Sequence, residues 1–139
     1  QYWRWGPSGV DLTSDVYQQT SKTFAGVGRR PYSPCYIRAS KGGSGDVTIT
    51  WLRRTRVDGD RWDLPDVPLG EDVEQYSIEI LDGNTVKRTL TSNQTSVAYT
   101  AAMQTADWGG PAPSPLTVRI AQYSSTFGYG AARTTAVRF

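Results

Sequence analysis

The chain has 139 residues, with 15 Lys and Arg against 13 Asp and Glu, a net charge of +2, one cysteine and no histidine. That length sets a single domain with room for an added arm, and the near-balance of charge gives no field of the kind that gathers nucleic acid. Cys35 alone excludes an internal disulfide and a cysteine-cluster metal site, while the missing histidines remove Ser-His-Asp and Cys-His nucleophile systems, His-ligated zinc and the imidazole proton shuttle. No apolar run approaches the ~20 residues that span a bilayer, so no membrane insertion is expected. The first residue is Gln1, not Met, and we read the sequence as a piece of a longer polypeptide.

Taken in chain order, Tyr2-Trp3-Arg4-Trp5 is strand-like and is stopped by Gly6-Pro7-Ser8-Gly9. Ser14 as N-cap with Asp15 in the first turn predicts a short helix. Gly26, Gly28, Pro31 and Pro34 make residues 25–34 a linker or extended crossing. A first regular strand is predicted over 35–39, then a flexible turn through Lys41-Gly42-Gly43-Ser44-Gly45. Val47, Ile49 and Trp51 alternate with Thr48, Thr50 and Leu52, the period of a half-buried strand, and Trp51 is a core residue. Tyr76, Ile78 and Ile80 repeat the pattern, and Asp82-Gly83-Asn84 turns the chain into a strand over 86–90. Val97 and Tyr99 mark a short strand, and residues 101–115 are a connector with a helical turn before Trp108-Gly109-Gly110-Pro111. Val118, Ile120 and Gln122 alternate, Gly128-Tyr129-Gly130 turns the chain, and residues 132–139 close the sheet.

Between the strands ending at Trp51 and starting at Tyr76 lies a loop rich in both charges. Asp58, Asp60, Asp63, Asp66, Glu71, Asp72 and Glu74 are the carboxylates a two-acid glycosidase would draw on, but such chemistry needs one of them desolvated in a cleft. Asp58-Gly59-Asp60 with Asp63 and Asp66 also has oxygen ligands suited to Ca²⁺, yet no glutamate stands at the twelfth position of an EF-hand register. The reading adopted is a structural loop in which the aspartates pair with Arg53, Arg54, Arg56 and Arg61, with no cofactor and no enzyme activity. Arg29-Arg30 and Arg53-Arg54 are interleaved with acids and lack a phosphate-cradling loop, so nucleic acid is not an expected partner. Trp62, Trp108, Phe127 and Tyr129 fall in loops, where they either bind sugar rings or a protein surface, or plug the open end of the fold.

The short strands, seven in this reading, favour a β-sandwich, and their order resembles a fibronectin type III or immunoglobulin-like domain over 33–139, preceded by an extension or linker over 1–32. In that topology the second-to-third-strand loop and the last hairpin share one end, which would gather Trp62, Phe127 and Tyr129. Leu116 stands where the family places its corner tyrosine, so the corner must close through other residues.

The phrase Trp51-Leu-Arg-Arg-Thr-Arg-Val-Asp-Gly-Asp-Arg-Trp-Asp63, continued by Asp66-Val-Pro-Leu-Gly-Glu-Asp-Val-Glu-Gln-Tyr76, resembles the C-terminal region of the large tail proteins of gene transfer agents and related siphophages. These are baseplate-hub or megatron proteins that also carry a TIM-barrel-like domain. Gly28-Arg29-Arg30-Pro31-Tyr32-Ser33-Pro34, Tyr99-Thr-Ala-Ala-Met-Gln-Thr-Ala-Asp107 and residues 118–130 extend the resemblance, while residues 1–23 match less well. The resemblance implies a virion component at the distal tail, assembled with copies of itself and with other tail and baseplate proteins, and in reach of a host surface glycan or receptor. It carries no catalytic residue to these positions. The competing expectation is a carbohydrate- or host-receptor-binding module that uses the loop aromatics.

Overall fold

Alternation governs the strands that carry the core. In the structure, a computed structural model that describes residues 2–61 and 63–139, the chain runs as β1 (Tyr2–Trp5), β2 (Gln18–Ser21), β3 (Cys35–Lys41), β4 (Val47–Leu52), β5 (Tyr76–Asp82), β6 (Thr85–Ser92), β7 (Ser96–Tyr99), α1 (Ala101–Trp108), β8 (Leu116–Ser124), β9 (Gly128–Tyr129) and β10 (Arg133–Val137). Every second residue of β4 and of β8 is buried, which is what a strand does when only one face meets a core. β3, β4 and β7 form one sheet; β10, β8, β5 and β6 form the other, in that order, with β9 added to β8. All of these pairings are antiparallel. Three strands facing four in this order make a fibronectin type III-like β-sandwich, an all-β fold with one short helix and an N-terminal extension.

Val47, Ile49 and Trp51 from one sheet meet Tyr76, Ile78, Ile80, Leu116, Val118 and Ile120 from the other, and all are at most 2% exposed. Full burial of each such side chain is worth about 1.5–3 kcal/mol. Trp51 and Tyr76 close one end of the core edge to face, with ring centroids 5.1 Å apart. The β5–β6 hairpin turns on Gly83 at φ 59°, a conformation that costs glycine nothing.

Two expectations are corrected. No helix starts at Ser14: the Asp11 carboxylate accepts from the Thr13 amide at 2.8 Å, the Ser14 amide donates to Asp11 O at 3.0 Å, and the chain then enters β2. A side chain that satisfies a nearby amide offers the backbone a turn instead of a helix. β2 pairs with β1 from Tyr2↔Ser21 to Trp5↔Gln18, and Tyr17, whose hydroxyl donates to Pro7 O at 2.8 Å, lies over Gly6 where any Cβ would collide with its ring. The connector after Tyr99 holds more helix than a turn: Thr100 caps α1 by accepting from the Met103 amide, and Gly109 ends it at φ 74°.

Candidate functional site

The loop between β4 and β5 is organised by three arginines. Arg53 leaves β4 and donates to Asp66 at 2.7 Å, to Glu74 at 3.1 Å and through two nitrogens to Val67 O. Arg56 grips Glu71 with both Nε and Nη2, and the Glu71 side chain is only 6% exposed. Arg61 holds Asp63 the same way at the surface, and that guanidinium keeps the Asp63 carboxyl below its usual range. Planar forks on carboxylates fix angle as well as distance. Thr55 adds a pivot, because its side chain packs on Gly59 and on Gly70, which sits at φ 68°. Of the expected structural set, Arg53, Arg56 and Asp63 form ion pairs, whereas Asp58 and Asp60 stand exposed at the loop tip. The carboxylates that hold the loop are Asp66, Glu71 and Glu74 in addition to Asp63. Acids engaged by arginine forks in this way are arranged for holding a loop in shape.

The same loop takes hold of the segment that precedes the sandwich. The third nitrogen of Arg56 donates to Gly28 O at 3.1 Å, and Arg54 lies over the ring of Tyr32 at 5.1 Å. Pro31 is buried, and its carbonyl accepts from the Ala131 amide at 3.0 Å. Gly130 permits that approach: a Cβ there would fall 2.5 Å from Pro31 O. Residues 28–34 therefore lie against both the β4–β5 loop and the β9–β10 turn, at the end of the sandwich where β3 begins. The Ser125 amide reaches Asp72 at 3.5 Å, so loop and last hairpin also meet directly.

At the opposite end, α1 closes the corner that lacks a tyrosine at Leu116. Tyr99 donates its hydroxyl to Asp107 at 2.7 Å and accepts from the Trp108 indole at 2.9 Å. Arg88 forks onto both Asp107 oxygens at 2.7 and 2.8 Å. Arg88 first, then Tyr99, hold the Asp107 carboxyl below its ordinary range against the opposing effect of burial; burial first and Asp107 second push the Tyr99 phenol up. Gln104, 1% exposed, donates to Gly45 O and Tyr99 O and accepts from the Ala112 amide. The Asp46 carboxylate accepts from the Ala101 amide at 2.7 Å, joining the β3–β4 turn to the start of the helix.

The described loop aromatics fall in two places, Trp108 at the end of α1 and Phe127 and Tyr129 around β9. Trp108 is half-buried in the corner, with Lys87 over its ring at 5.3 Å, and is used for closure. Phe127 is half-buried in the β8–β9 turn. Tyr129 is 47% exposed and stands edge to face with Tyr123 at 5.3 Å. Trp62 lies outside the described residues. In sequence Glu71 stood as one of several loop carboxylates and residues 99–107 as a strand end and a connector, and nothing there paired Glu71 with Arg56 or joined Tyr99, Gln104 and Asp107 in one corner.

No protein-family model matches the chain, and no curated protein matches it. Among solved structures it is similar to one described as FN3tt mut, at 15% identity and a TM-score of 0.49, over 78% of this chain and 99% of that one. It is also similar to domains d3–d4 of the rat CD45 extracellular region (8%, TM-score 0.46, 100% of this chain and 64% of that one). A third similarity is to the FN5 domain of Drosophila Lar (14%, TM-score 0.34, 78% and 98%). At these identities the likeness concerns fold alone, and the assignment as a fibronectin type III-like sandwich rests on the strand order and register described above.

Proposed function

We propose that this chain is a non-enzymatic structural module of a phage-like tail or baseplate protein, one that sets the direction in which the preceding segment enters the sandwich. The observation that carries the reading is the double hold on the entering chain, Arg56 to Gly28 O and Ala131 to Pro31 O. A binding loop is served by adaptable, solvated side chains; this one is tied down on the chain's own linker. Of the residues that carry the tail-protein resemblance, Arg54 and Arg56 touch the linker at Tyr32 and Gly28, while Arg53, Glu71 and Glu74 shape the loop from which they reach it. With it go a sandwich module over 33–139 behind an extension over 1–32, and partners among other tail proteins and copies of the chain. The test is localisation: an antibody to this chain, applied to particles purified from the source culture, should label the distal tail. Chain found only outside particles would overturn the reading.

A second reading, a carbohydrate- or host-receptor-binding module, is favoured by one observation, the exposed ring of Tyr129 beside a depression in the sheet.

A further inference from the structure

The outward positions of β5 and β8 are fixed by register. Glu79 lies opposite Arg119 and Ser77 opposite Ala121, and one step further along β8, Tyr123 lies opposite Tyr129 of β9. Small side chains in the middle and large ones at either side leave a depression of about 290 Å³, lined by Ser77, Glu79, Arg119, Ala121, Tyr129 and Gly130 among others. One wall is the Tyr129 ring, steadied by its edge-to-face contact with Tyr123. The other is the ion pair in which Arg119 Nε donates to Glu79 Oε2, both side chains part-exposed at 41% and 26%.

The chemistry of these walls selects a ligand class. The guanidinium and carboxylate neutralise each other, so neither an anion nor a cation meets a net field. A purely apolar ligand would cover an ion pair without replacing its water, which costs free energy. A ligand with one apolar face and adjacent hydroxyls satisfies both walls. Its C–H face stacks on Tyr129, while its hydroxyls donate to the outer oxygen of Glu79 and accept from the remaining N–H groups of Arg119. We infer that this depression is a binding site for a single neutral pyranose, with Tyr129 as its stacking platform and Glu79 and Arg119 as its hydrogen-bonding pair. The inference rests on the second reading above and names its site and ligand, with Trp108 and Phe127 left out of it.

The full chain, labelled with ¹⁵N, is titrated with methyl α-mannopyranoside, methyl β-glucopyranoside and methyl β-galactopyranoside, and amide shifts are followed. One of the three should move Ser77, Ala121, Tyr129 and Gly130 saturably. Tyr129→Ala and Glu79→Gln should each weaken binding about tenfold or more, and Tyr129→Phe should bind within about twofold of the parent. Saturable binding lost in Phe127→Ala and untouched in Tyr129→Ala and Glu79→Gln overturns this site and leaves the carbohydrate reading standing. No saturable shift with any of the three overturns both. Tighter binding of glucuronate or glucosamine than of every neutral glycoside overturns the charge argument.

Discussion

Two buried glutamines, each 1% exposed, should respond to substitution in opposite directions. Gln104 joins α1 to the β3–β4 turn and to the chain after the helix through three hydrogen bonds, at 3.0 Å to Gly45 O, 2.8 Å to Tyr99 O and 3.1 Å from the Ala112 amide. Gln104→Ala removes all three and strands two carbonyls and an amide beneath the corner. At about 1 kcal/mol for each bond, with up to about 2 kcal/mol more for the lost packing, the cost is about 3–5 kcal/mol. That is a large part of the about 5–15 kcal/mol by which domains are stable, and it corresponds to a melting point lower by roughly 12–20 °C. Gln122 also faces the core, but neither its amide nitrogen nor its oxygen has a hydrogen-bond partner among the described residues. Gln122→Met keeps the length and removes the polar atoms, so stability should hold or rise by about 1 kcal/mol. Urea unfolding followed by tryptophan fluorescence reads both. A loss below about 1 kcal/mol for Gln104→Ala, or a loss above that for Gln122→Met, would refute the hydrogen-bond accounting.

The corner should also show in acid. Asp107 has its carboxyl pKa depressed in the folded chain by Arg88 and Tyr99, so its contribution is fully present above the unfolded value of about 4 and is lost as pH falls through the lower folded value. Melting temperature scanned downward from pH 7 should therefore fall below about pH 4 in the parent and fall less steeply in Asp107→Asn, which starts lower at pH 7. Equal slopes would contradict this. Among the loop arginines, Arg56→Ala leaves the nearly buried Glu71 unpaired and should cost about 2 kcal/mol. Arg61→Ala breaks a pair whose members are 52% and 63% exposed, and should leave the melting temperature unchanged. Calorimetry of the two variants side by side checks the contrast, and similar losses in both would sink it.

The sandwich was legible because Val47, Ile49 and Trp51, then Tyr76, Ile78 and Ile80, then Val118 and Ile120 keep strict alternation, and an inward face is the cause of that pattern. β2 was not legible: Gln18-Gln19-Thr20-Ser21 has no apolar face, and its strand state comes from pairing with β1. In α1 the stop at Gly109-Gly110-Pro111 was readable as the end of a helical turn, but the helix buries a glutamine, so no apolar stripe announced its length. The charged loop was readable as an ion-pair scaffold, though not its partners. Arg53 and Glu74 are 21 positions apart and Arg56 meets a backbone carbonyl 28 positions away, and only the closed fold brings such pairs together. Glu79 and Arg119, 40 apart, look in sequence like ordinary solvent-side residues of two strands, and it is register that makes them one wall of a depression.

The entering chain is held against the sandwich, and the Ala131 amide reports that hold directly because its partner is Pro31 O. Hydrogen exchange measured by NMR should find Ala131 protected in the parent chain. Protection should be lost in Gly130→Ala, where the added Cβ would meet Pro31 O at 2.5 Å, and reduced in Arg56→Ala, while core amides such as Ile78 and Ile120 stay protected in both. An Ala131 amide that exchanges freely in the parent chain, with those core amides protected, would contradict the claim that the linker is fixed to the module.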